Sequence, residues 1–119
     1  MKKLISRRIL KTSKYSINGL KAAWRSEEAF RIEVILILVL LPVAFFVGGS
    51  AVEICLLIMS LLIVLIVELL NTGLEKAIDR ISMDFNDVSG LVKDVGSAAV
   101  YISIIQAVIV WAVIYFTDG

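Results

Sequence analysis

From Val95 to Phe116 the chain reads VGSAAVYISIIQAVIVWAVIYF, an uninterrupted run without one charged side chain. About twenty residues of helix cross the hydrocarbon of a bilayer, so this stretch is long enough to span one unaided. Two more apolar blocks precede it. VILILVLLPVAFFV covers Val34–Val47, and ICLLIMSLLIVLIV covers Ile54–Val67 and continues through Leu69, Leu70 and Leu74. Both reach spanning length once their weakly polar ends are counted. In lipid every backbone N–H and C=O must be satisfied within the segment, so helices are the spanning form. Composition agrees, since 60% of the 119 residues are hydrophobic and mean hydropathy is +0.96. The reading is an all-α membrane protein forming a single domain over 1–119. Its transmembrane helices are expected at 29–50, 53–81 (with a cytoplasmic extension) and 93–117, with a cytoplasmic loop at 82–92. Pro42 is read as a tolerated kink. The lone Cys55 excludes an intrachain disulfide, and with no histidine present there is no Cys/His zinc site.

Charge is distributed unevenly. Residues 1–31 hold nine of the twelve basic side chains and two acids, whereas the remaining 88 hold three bases and nine acids. By the positive-inside rule the basic head faces the cytoplasm, the GGSAVE connector faces outward and the 82–92 loop returns inside. The head is too long and too charged to precede a signal-peptide core. On a helix, Ile5, Ile9, Leu10, Ile17, Leu20 and Trp24 share an arc of about 140°, with Arg7, Lys11, Lys14, Lys21 and Arg25 on the complementary side. That pattern predicts an amphipathic surface helix over 4–27, with Gly19 a point at which it could divide. Packing on the protein's own spans would use the same apolar face. A basic head of this kind is attracted to anionic lipid.

The second span ends in ELLNTGLEKAIDR, Glu68–Arg80. At helical spacing Glu68, Asn71, Glu75 and Asp79 fall on one stripe about 80° wide and roughly 16 Å long. Glu68 borders hydrocarbon and Asp79 borders water. An acid within a span costs roughly 2.5–3.5 kcal/mol even on the lenient insertion scale, and such residues mark function by default. The bland alternative is a helix that simply leaves the membrane at Glu68, but Leu69, Leu70 and Leu74 carry the apolar face beyond it. In AAWRSEEAFRIE, Glu27 and Glu28 stand at the same interface as Glu75. Two separated carboxylates facing one pocket suit Mg²⁺, which takes one or two carboxylates plus substrate phosphates. Lys93 offers a point charge for phosphate, and Gly96–Ala99 permit close helix approach. Neither GxxxxGK(S/T) nor GxGxxG is present.

ELLNTGLEKAIDRI, then KDVGSAAV after a short loop, with YSINGLKAAW and E-x-x-F-R upstream, resembles the prokaryotic integral-membrane diacylglycerol kinase family over nearly the whole chain. Gly73 departs mildly, standing where alanine is more familiar. The resemblance implies a homotrimer in the bacterial cytoplasmic (inner) membrane, with its N-terminus and active site on the cytoplasmic side. It implies transfer of the γ-phosphoryl group of MgATP to the hydroxyl of 1,2-diacylglycerol, giving phosphatidic acid in phospholipid metabolism. At matching positions Glu68 is the implied general base. Asn71 and Asp79 orient the site, Glu27 and Glu75 hold the metal, and Lys93 and Asp94 position the nucleotide. Arg8 and Tyr15 cover that nucleotide and Asp84 and Asn86 reach it from the loop. Trp24, Arg31, Glu68 and Ser97 face the lipid substrate. No nucleic-acid partner is implied. The nearest rival is undecaprenol kinase, against which AIDRI and KDVGSAAV speak. More distant are a channel or proton relay using Glu68 and Gln106, and a membrane-anchored assembly factor.

Overall fold

The computed structural model describes residues 1–81 and 87–118, and nearly all of them are helical. Helix α1 spans Lys2–Ser26, α2 Glu28–Val47, α3 Ala51–Ile81 and α4 Asp87–Asp118. The last three are long and apolar enough to cross a membrane, and at most 28% of any of their apolar windows is buried within one chain. What stays uncovered is the surface that lipid or further protein must meet.

Each helix stops for a local reason. Between α1 and α2 stands one extended residue, Glu27, at φ −121° and ψ 109°. The final carbonyls of α1 lack intrahelical donors, as at any helix C-terminus. The Arg31 guanidinium, one turn into α2, donates to Trp24 O at 2.7 Å and Arg25 O at 3.3 Å. A cation at the negative end of a helix is also favoured by the helix dipole. Helix α2 ends at Gly48, where a Cβ would meet the Ile54 side chain at 2.7 Å, so only glycine admits a turn this tight. The turn closes with a capping pair. Glu53 N–H donates to Ser50 Oγ at 3.2 Å, and the Glu53 carboxylate accepts from Gly49 N–H at 2.7 Å.

Helix α3 is the centre of the bundle, packing on α4 along its length and on α2 over part of it. Its buried residues, Leu57, Ser60, Leu61, Val64, Glu68 and Thr72, recur at three- and four-residue intervals. They therefore form a single stripe on one helix face. At the Gly48 end, Ala44, Leu57 and Ile114 form a core cluster backed by Val47, Ile58, Val110 and Trp111. Polar bonds reinforce it: Gln106 Nε2 donates to Ser60 O at 2.7 Å, and the Trp111 indole N–H is 3.2 Å from Ser60 Oγ. Three helices at 8–10 Å separations give a width of roughly 20–30 Å. The overall extents of 51 × 46 × 24 Å therefore need α1 to project away from the bundle.

Three expectations change. The loop expected at 82–92 is shorter, because α4 already begins at Asp87. No proline interrupts residues 87–95, and extending an existing helix closes one backbone bond per added residue. The first span stops at Val47 rather than residue 50, because Gly48–Ser50 make the turn. Finally, α1 is not divided at Gly19 but runs unbroken to Ser26.

Candidate functional site

The acids separated in sequence meet where the C-terminal part of α3 passes the start of α2 and the first turns of α4. Glu68, in the buried stripe of α3, is only 6% exposed. It interacts electrostatically with Glu75, two turns further along α3, and with Glu27 at the α1–α2 junction. Glu33 on α2 interacts with Glu68 in turn, and its Oε2 is buried without a hydrogen-bond partner among the described residues. Among the described residues no base forms an ion pair with any of these four carboxylates.

The far end of the stripe is built differently. Asp79 Oδ1 pairs with Lys93 Nζ at 2.7 Å, with both side chains well exposed. Lys93 also interacts with Glu75. The stripe therefore grades from buried, unpaired acid at Glu68, through half-buried Asn71 and Glu75, to an exposed ion pair.

Asn71 links α3 to α4. Its Nδ2 is 3.4 Å from Glu75 Oε1, while its Oδ1 is buried with no partner among the described residues. Directly opposite stands Gly96, buried on α4, where an added Cβ would overlap Asn71 Oδ1. The glycine is what lets the amide lie between the helices. Asp94 and Ser97 are exposed on the same first turns of α4.

Other expected residues are placed less closely. Trp24 lines a groove of about 530 Å³ with Leu20, Phe30, Val34 and Leu65, together with Lys21 and Arg25. Arg31, implied as a lipid contact, donates through Nη1 to the carbonyls that end α1. Arg8 and Tyr15 are exposed on α1. They precede Glu27 by nineteen and twelve residues, about 28 Å and 18 Å of helix axis, so one chain does not bring Arg8 to the acids. Asp84 and Asn86 lie outside the described residues. Glu33 was missed by reading ELLNTGLEKAIDR and its neighbours alone. The signal for it was present, since it stands between Ile32 and Val34 at the edge of hydrocarbon.

Glu27, Glu33 and Glu75 each interact electrostatically with Glu68, and Lys93 is the base that interacts with Glu75. Among the described residues no three ligating side chains converge as a complete cage. An incomplete set suits Mg²⁺, which keeps waters and takes substrate phosphates beside one or two carboxylates.

Comparison with known proteins fits this geometry. The sequence model of the family described as prokaryotic diacylglycerol kinase matches residues 14–115. The chain is 44% identical over 108 residues to a diacylglycerol kinase of Haemophilus influenzae, covering 91% of this chain and 92% of that protein. Against the Escherichia coli K12 diacylglycerol kinase it is 44% identical over 110 residues, 92% of this chain and 90% of that one. A Helicobacter pylori diacylglycerol kinase is 37% identical over 105 residues, 88% and 82% of the two chains.

Proposed function

This chain belongs to the prokaryotic diacylglycerol kinase family, and from that membership we infer that it is a lipid kinase, a multi-pass bacterial membrane enzyme that phosphorylates diacylglycerol. The observation that carries its chemistry is the position of Glu68, buried at the inner end of an apolar stripe and facing other acids.

In the reaction we propose, the lipid hydroxyl lies level with Glu68 and ATP enters from the Glu75 side. The hydroxyl oxygen bonds to the γ-phosphorus, the bond from that phosphorus to the ADP oxygen breaks, and the hydroxyl proton passes to the Glu68 carboxylate. The products are phosphatidic acid and ADP. Phosphoryl transfer asks a protein mainly for positioning and charge neutralisation. Glu27 and Glu75 would hold Mg²⁺, which when bound neutralises phosphate charge. Asn71 keeps Glu75 oriented through the bond from its amide nitrogen. Asp79 holds Lys93 extended along the water end of the stripe, from which the ammonium can exchange onto a phosphate. Asp94 and Ser97 border the same space, and Trp24 lines the groove of about 530 Å³.

We further propose that the enzyme is a homotrimer with α1 on the cytoplasmic membrane surface. The mostly uncovered apolar helices support association. The axial distance from Arg8 to Glu27 supports a nucleotide site to which another copy's α1 contributes. The basic head supports the cytoplasmic orientation.

Purified protein with MgATP, assayed against diacylglycerol and against undecaprenol, tests this reading. Phosphatidic acid should form, and chelation of divalent metal should abolish it. Phosphorylation of undecaprenol alone, or turnover that survives chelation, would overturn it.

A further inference from the structure

Two acids stand side by side where α1 meets α2, and the structure treats them differently. Glu28 is exposed on the first turn of α2, whereas Glu27 is half-buried and interacts with Glu68. Neighbouring positions on a helix differ in direction by about 100°, so a rotation of that size at the joint would turn Glu27 away from the cluster. The usual device for fixing such a joint is missing. A residue preceding a helix commonly accepts a bond from the first free N–H groups through a short side chain. Glu27 makes no such capping bond, which leaves its carboxylate for the cluster and the joint without that support. Packing adds little. Ala23 is the one buried residue of α1, and the groove of about 530 Å³ lined by Trp24, Phe30 and Leu65 opens beside the joint.

Arg31 supplies the support from both sides of Glu27. Its backbone N–H donates to Glu27 O at 3.2 Å, while the Glu27 N–H donates to Ala23 O at 2.9 Å. The guanidinium then reaches back past Glu27, with Nη1 donating to Trp24 O at 2.7 Å and to Arg25 O at 3.3 Å. A terminal guanidinium nitrogen carries two N–H groups, so one atom can serve both carbonyls. Rotation of the backbone at Glu27 would break these two bonds together. Among the described residues Arg31 forms no ion pair, so the contact it makes here is with the backbone of α1 and not with an acid.

We propose that Arg31 is a positioning residue of the phosphoryl-transfer site. By bridging the last carbonyls of α1 it locks the one-residue joint and keeps the Glu27 carboxylate within reach of Glu68, where it can hold Mg²⁺. This rests on reading the acids as the metal site of a lipid kinase. In this role Arg31 touches neither metal nor phosphate and acts only through Glu27.

The test uses the full chain in phosphatidylcholine vesicles and the Mn²⁺ complex of a non-hydrolysable ATP analogue, with the bound ion read by electron paramagnetic resonance. Arg31→Met, which removes the donors, should weaken binding of that complex by roughly 10- to 100-fold, as loss of the support behind a metal ligand does. Arg31→Lys keeps a cation at shorter reach and should show a smaller loss. In the assay, Arg31→Met should raise KM for MgATP, with excess Mg²⁺ restoring most of the rate. Glu27→Gln should weaken the same complex, and adding Arg31→Met to it should cost little more. Unchanged Mn²⁺ binding in both Arg31 variants would overturn the proposal, and so would full additivity with Glu27→Gln. A raised KM for diacylglycerol at unchanged Mn²⁺ binding would overturn it by making Arg31 a lipid contact. Loss of folded protein with normal Mn²⁺ binding in the folded fraction would overturn it too, leaving Arg31 a structural role alone. Mn²⁺ binding that follows Arg31 in a chain phosphorylating no lipid would support the positioning and refute the kinase reading instead.

Discussion

The two ends of the helical bundle solve opposite problems. At the Gly48 end, Ala44 and Leu57 are fully buried, and Trp111 and Gln106 bond across to α3. At the Glu68 end the same stripe of α3 continues with an acid, and among the described residues the Asn71 amide oxygen between the helices has no partner and Glu27, Glu33 and Glu68 form no ion pair. One end is packed for cohesion. The other buries acidic and amide groups, which cost a fold stability unless a partner meets them. Substitutions at the two ends should therefore separate stability from turnover.

The largest separation is expected at Glu68. Glu68→Gln keeps the shape and removes the base, so phosphatidic acid formation should fall by roughly 10²- to 10⁴-fold, while thermal unfolding in detergent is unchanged or raised. A parallel loss of stability would erase the contrast between the ends. Leu57→Ala is the mirror experiment. It should cost about 2–5 kcal/mol of stability and leave the specific activity of the folded fraction intact, measured by unfolding and by assay on the same preparation.

Gly96→Ala sharpens the comparison, because a Cβ there collides with Asn71. The expected outcome is a loss of about 1–3 kcal/mol together with reduced turnover, since Asn71 must move and take its bond to Glu75 with it. Unaltered activity would mean the amide has no part in the site. The smallest effect is predicted for Gly73→Ala, where a Cβ meets nothing within 4 Å. Relieving a glycine inside a helix should stabilise by about 0.5–1 kcal/mol, read as a small rise in unfolding temperature. Destabilisation instead would show that another copy covers this flank of α3.

Much of this was legible in the sequence because it follows from periodicity. Three apolar runs require three helices, and the spacing of Glu68, Asn71, Glu75 and Asp79 requires one stripe whatever the surroundings. The missed features depend on neighbours remote in sequence. Glu33 looks like the edge of a span until α3 is seen to bring Glu68 beside it. Arg31 gives no sign in the sequence that the chain folds back at Glu27 and presents it with the carbonyls of α1. The loop at 82–92 proved partly helical because turn-like residues such as Ser89 and Gly90 do not stop a helix that tertiary packing extends.

By itself, then, the sequence determined helix number, membrane character, the charge split between head and body, and the order of the acid stripe. These depend on hydrophobicity and on 3.6-residue periodicity, which act locally. Only the tertiary structure decided that Glu27, Glu33 and Glu75 come within electrostatic reach of Glu68 and that Lys93 rests on Asp79. It also decided that Gly96 yields its side-chain volume to Asn71. Those outcomes depend on which helices pack at which register, and charge at a few ångströms is felt only once packing has brought it there.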